Sequence, residues 1–81
     1  MQEHPIRSIR IEERLTQFEF SKILKINQAQ LSSYETGAVS IPPHIIRRVS
    51  NIFKKDENKL KKEADDFYEK KRKKLRKYLG K

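Results

Sequence analysis

LTQFEFSKILKINQAQLSSYETG, residues 15–37, holds two short helical segments and the tight link between them. The first opens on Thr16-Gln17-Phe18-Glu19, the arrangement in which a threonine hydroxyl accepts the amide three residues on and the glutamate reaches back to cap the start. Phe20, Ile23 and Leu24 follow at i, i+3 and i+4, one face of a helix that ends by Lys25. Asn27, a good N-cap, opens the second segment over Gln28 to Glu35, and Gly37 supplies the left-handed residue that stops it. Leu31 and Tyr34 point one way. Gln28, Ala29, Ser32 and Ser33 lie on the opposite side by helical stepping, so the second segment offers a small, polar, almost uncharged face.

Outward from this pair the pattern stays helical. Pro5 suits the first turn of a helix over residues 5–13, with Ile6, Ile9 and Leu15 on or beside its inner face. Ala38 to Pro43 form a loop, since two prolines cannot sit in a helix interior. Ile45, Ile46, Val49, Ile52 and Phe53 place a fourth helix from near Pro43, apolar along one broad stripe. Phe18, Phe20, Tyr34 and Phe53 read as core or near-core residues. From Asp56 to Leu79, the apolar residues Leu60, Ala64, Phe67, Tyr68, Leu75, Tyr78 and Leu79 recur at helical spacing, interrupted at Lys71. This is one long amphipathic helix of about 36 Å. Its acidic residues gather towards the start (Asp56, Glu57, Glu63, Asp65, Asp66) and its basic ones towards the end, which suits the helix dipole. No alternation long enough for a strand occurs, and no internal repeat. The expected fold is all-α: a four-helix domain over residues 1–54, followed by a basic amphipathic helix in residues 55–81.

Composition narrows the function. An 81-residue chain with 35% hydrophobic residues buries one modest core and has no room for the large cleft of most enzymes. It lacks a Ser/His/Asp set, a carboxylate pair in a plausible cleft and a glycine-rich phosphate loop, Gly37 and Gly80 being its only glycines, so no enzyme is expected. The absence of cysteine excludes disulfides and thiolate zinc sites. His4 and His44 each adjoin a proline, away from any ligand spacing, and read as ordinary solvated histidines, so neither a metal nor a cofactor is expected. No apolar run is long enough to span a bilayer, and MQEHPIRSIR lacks the hydrophobic stretch of a signal peptide; a soluble, cytoplasmic protein is expected. The formal net charge of +9 points to an anionic partner, nucleic acid ahead of a membrane surface. Most of that charge lies beyond Phe53, so two differently built segments meet there.

Two short helices joined by a tight turn, the second capped by Asn and presenting small polar residues, are the parts of a helix-turn-helix that enters the major groove. Leu15-Thr16-Gln17 with Glu19, Ile26-Asn27-Gln28, Leu31 through Gly37 and Ile41-Pro42-Pro43 resemble the Xre-type, Cro-like and lambda-repressor-like phage repressor domains, over residues 6–54. The resemblance implies a double-stranded DNA partner. Gln17 would hold the DNA backbone, with Thr16 capping a helix whose amide end faces phosphate. Gln28 would grip an adenine edge through its amide, and Ala29 and Ser33 would read neighbouring bases, a face biased towards A·T pairs. Lys25, Asn27, Gln30, Ser32 and Thr36 would add backbone contacts. Arg10 and Glu35 would form a buried ion pair between the first and third helices. Two departures stand out: Lys25 where relatives usually carry Gly, costlier if φ is positive, and Ser21 where Ala is usual.

Relatives commonly dimerise through the segment after the fourth helix, so the resemblance implies a homodimer. Leu60, Ala64, Phe67, Leu75 and Tyr78 form the apolar stripe for it, and Lys70, Lys71, Arg72, Lys73, Lys74, Arg76 and Lys77 would flank DNA phosphate. A partner protein docked on this helix, an acidic membrane, or a plain solvated tail are the alternatives. Gln17 and Gln28 have the alternative of an ordinary surface role, Arg47 and Arg48 that of a solvated helix face. With no effector domain, no small-molecule ligand is expected. The reading is a sequence-specific transcriptional regulator, a repressor of a phage, plasmid or other mobile element bound as a dimer at an inverted repeat. The competing one is a nucleic-acid-associated adaptor or antitoxin-like protein whose basic helix holds a protein or the phosphate backbone without reading sequence.

Overall fold

A computed structural model describes residues 3–79. Five helices and no strand appear among the described residues: α1 Pro5–Glu12, α2 Gln17–Leu24, α3 Gln28–Thr36, α4 Pro43–Phe53 and α5 Glu57–Tyr78. None is long and apolar enough to cross a membrane. Bounds differ from the sequence reading by a residue: α1 stops at Glu12, α3 runs on to Thr36, and Asp56 and Leu79 cap α5 rather than join it. Residues 1, 2, 80 and 81, the outer ends of the two expected segments, lie outside the described residues.

Each helix start is satisfied by a side chain or by proline. Thr16 and Glu19 form the reciprocal box on α2, at 3.1 and 2.9 Å. Asn27 and Gln30 repeat it on α3, at 2.7 and 3.1 Å. Asp56 Oδ1 accepts the amides of Asn58 and Lys59 on α5. Helix ends follow one plan too. Arg14, Lys25, Lys54 and Gly37 all take the left-handed conformation, and Leu15, Ile26 and Lys55 return amides to the carbonyls of Arg10, Ser21 and Ser50. Only one of these four is glycine. Each cationic residue gives up about 1 kcal/mol to the left-handed backbone, and its positive charge lies at the negative end of a helix dipole, which offsets part of that cost. Arg48 adds a further cap, its guanidinium donating to the Leu24 carbonyl at the end of α2. It is thus half-buried and engaged, while Arg47 stays exposed beside Glu57.

One hydrophobic core runs through all five helices. It takes Ile6 and Ile9 from α1, Phe20 and Leu24 from α2, Leu31 and Tyr34 from α3, Ile45, Ile46 and Val49 from α4, and Leu60, Ala64, Phe67 and Tyr68 from α5, with Ile41 from the loop. Two expectations are corrected here. The charge break near Phe53 does not divide the core, because the first half of α5 is packed into it. Leu60, Ala64 and Phe67 are therefore covered by the chain's own helices and leave only Leu75 and Tyr78 of the expected dimer stripe in solvent, 55% and 73% exposed. Phe18 is a third correction: two residues before buried Phe20, it falls on the far side of α2 and is 56% exposed, with Lys22 Nζ 5.1 Å from its ring centre. Ser21 fits its slot, fully buried and donating to the Phe18 carbonyl at 2.7 Å.

Candidate nucleic-acid interface

The link between α2 and α3 is only Lys25, Ile26 and Asn27, and Lys25 makes its turn possible with φ 60°. Ile26 packs against the core from that link, which fixes the second helix against the first. Leu31 and Tyr34 bury the inner side of α3. Gln28, Ala29 and Gln30 remain exposed on its outer side, and Ser32 and Ser33 are half-buried. Asn27, Ala29, Gln30, Ser33 and Tyr34 line a shallow depression, closed at one edge by Val39. No charged side chain lines it. Such a face offers hydrogen bonds and methyl contacts rather than charge.

Behind it, Arg10 grips Glu35 with a two-pronged contact, Nε to Oε2 at 2.9 Å and Nη2 to Oε1 at 3.2 Å. Both side chains are largely shielded, 13% and 2% exposed, and Arg10 Nη1 also donates to the Leu15 carbonyl at 3.0 Å. Gln17 joins the pair, its Nε2 donating to Glu35 Oε1 at 3.1 Å. One carboxylate thus ties α1, α2 and α3 together, and it fixes the plane of the Gln17 amide while leaving the second amide hydrogen unspent. The cap oxygens of Thr16, Asn27 and Gln30 are likewise occupied by backbone amides, so what these side chains have left to offer is hydrogen donors. Lys25 is exposed on the link, Thr36 donates to the Ser33 carbonyl at 3.3 Å, and Ser32 flanks the outer face.

A buried polar network holds the far edge. Tyr68 of α5 donates to the Val39 carbonyl at 3.2 Å and accepts the Ile41 amide at 2.9 Å. Its third partner is His4 Nε2 at 3.0 Å, while His4 Nδ1 accepts the Ile6 amide at 3.2 Å and caps α1. With Nδ1 accepting, the proton resides on Nε2, and every hydrogen-bonding position of the phenol oxygen is used. His4 is not the solvated histidine of the sequence reading: it is fully buried, with its ring edge-on to Phe67 at 5.1 Å, and burial lowers its pKa from 6.5 to about 4. Burial also raises the Tyr68 pKa; the Ile41 amide opposes that shift, and Tyr34 and Asp65 reinforce it. The sequence reading assigned no role to Val39, placed Tyr68 only on an apolar stripe and weighed Arg48 as a solvated helix face, whereas Arg48 is half-buried on the Leu24 carbonyl. The tie of His4 to Tyr68 spans 64 positions and leaves no local signal. Only the His-Pro start of α1 hints that His4 is a cap.

A family model described as helix-turn-helix matches residues 6–60, from the first turn of α1 into the first turn of α5. No curated protein and no solved structure gives a match. With the paired helices α2 and α3, their capped starts and the three-residue link already in place, the chain belongs to the Xre, Cro and lambda-repressor-like helix-turn-helix family of DNA-binding regulators.

Proposed function

We propose that this protein is a sequence-specific reader of double-stranded DNA that represses transcription by occupying a promoter of a phage, plasmid or other mobile element. The observation that carries the reading is the outer face of α3, where Gln28 and Ala29 stand exposed beside half-buried Ser33 with no charge among them. Gln28 offers the donor and acceptor pair that matches an adenine edge, the Ala29 methyl suits a thymine methyl, and the Ser33 hydroxyl serves either sense. Phosphate contacts fall to the remaining donors: the second amide hydrogen of Gln17, the Thr16 hydroxyl, the side-chain amides of Asn27 and Gln30, Ser32 and the Lys25 ammonium, with Thr36 joining them only by releasing the Ser33 carbonyl. They set the register in which α3 lies.

A single α3 spans too few base pairs for a unique address, so the reading includes a homodimer on an inverted repeat. The remaining apolar positions Leu75 and Tyr78 on α5 are available for that pairing. They also support the competing reading, an adaptor held to another protein through α5. Selection from random duplexes at about 150 mM salt with excess competitor separates the two, because these conditions suppress binding to phosphate alone. The expected product is an inverted repeat with half-site centres about one helical turn apart. Enrichment of a single half-site would remove the homodimer, and no enrichment at all would overturn sequence reading in favour of the adaptor.

A further inference from the structure

Past Lys71, the second half of α5 belongs to no packed layer. Residues 69–79 are all exposed, and at about 1.5 Å per residue they extend roughly 16 Å. They carry seven cations and one carboxylate, Glu69. By helical stepping, Lys70, Lys73, Arg76 and Lys77 occupy the middle of one broad arc with Arg72 and Lys74 at its edges, and Leu75, Tyr78 and Leu79 continue the stripe that upstream is buried.

The place from which this arm departs is fixed. Tyr68 holds the Val39 carbonyl, and Val39 closes the edge of the depression that Ala29 and Ser33 line. On either side of Tyr68, α5 presses against the end of α3: a methyl group on Gly37 would sit 2.8 Å from Phe67 Cε2 and 3.0 Å from Lys71 Cδ. The segment that carries the basic arc therefore leaves the body beside the C-terminal end of α3 and the Val39 edge of the depression, and its root is held by core packing and the His4–Tyr68 network.

We infer that the second half of α5 is a separate DNA-binding surface, an arm that lies along the phosphate backbone beside the groove that α3 enters. The inference rests on the reading of α3 as the base-reading helix. Charge complementarity selects the occupant. Seven cations within eight positions form an arc opposite the stripe of Leu75, Tyr78 and Leu79 that a second copy would cover, and three apolar side chains make a narrow stripe for a lipid interior, whereas a polyphosphate strand satisfies a long, one-signed arc. Contacts of this kind add affinity without sequence preference.

The test compares two triple variants of the full chain with the same loss of charge. Lys73→Gln, Lys74→Gln and Lys77→Gln alter the arm; Lys59→Gln, Lys61→Gln and Lys62→Gln alter the packed half of α5. All six side chains are exposed and Gln keeps the helix propensity, so both variants fold. Affinity for a selected and a scrambled duplex is measured across a salt series. The arm variant is expected to flatten the plot of log affinity against log salt by about 2 to 3 units on both duplexes, the packed-half variant by less than one, and the ratio between duplexes to stay unchanged. Hydroxyl-radical footprints are expected to lose backbone protection beside the bound groove in the arm variant only. Equal flattening by both variants would reduce the effect to net charge and overturn the arm, as would an unchanged slope. A drop in solution mass with the slope intact would assign the arm to pairing of copies and overturn it too. If the unaltered protein prefers no duplex, the reading of α3 fails, while the slopes on scrambled DNA still decide the arm.

Discussion

His4 carries a consequence for stability that follows from its surroundings. In the fold it is neutral, with its pKa lowered from 6.5 to about 4 by burial, and both ring nitrogens are engaged. Between those two values the unfolded chain holds a proton that the folded chain excludes. Stability is therefore full above pH 6.5 and falls as pH drops towards 4, by roughly 3 kcal/mol at about 1.4 kcal/mol per pKa unit. Urea midpoints at pH 7 and pH 4.5 check this against His4→Asn, which keeps a capping oxygen and cannot titrate. The unaltered protein is expected to lose more on acidification than the variant; parallel losses would remove His4 as the cause. Caps whose partners lie three positions away were legible in the sequence, as with Thr16 and Glu19 or the capping role of Asn27, because a cap is a local bond, though the return bond from Gln30 was not read. His4 was not, since what buries it comes from α5. Phe18 was misread for a different reason: residues two apart on a helix point to nearly opposite sides, so Phe18 and Phe20 cannot share a core.

The five helices were legible because each carries its own start and stop, and the apolar stripes announce which side packs. What the stripes do not say is what they pack against. The stripe of α5 keeps one helical face on both sides of its break at Lys71, yet Leu60, Ala64, Phe67 and Tyr68 fill the chain's own core while Leu75, Tyr78 and Leu79 meet solvent. The seam is at Gly37, where α3 ends with φ 84° and α5 crosses close above it. Gly37→Ala is expected to destabilise by about 2 to 4 kcal/mol, combining the left-handed backbone with overpacking against Phe67. Chemical denaturation measures it. A loss below about 0.5 kcal/mol would mean that α5 is not seated on the end of α3.

The whole chain combines a helix-turn-helix head with a charged helix, in a body of 40 × 25 × 22 Å whose long axis suits the 22-residue α5. Glu35 binds the first three helices from inside, through Arg10 and Gln17, so the orientation of α3 is set before any ligand arrives. An element presented in this way loses little ordering entropy on binding, which favours specificity. In the proposed function base reading falls to Gln28, the exposed amide at the start of α3. The affinity of the protein and of its Gln28→Ala variant should be measured on the selected duplex and on a scrambled one, at one salt concentration. A loss of about 1 to 3 kcal/mol on the selected duplex with little change on the scrambled one is the predicted result. Equal losses on both, or none on either, would contradict sequence reading by α3.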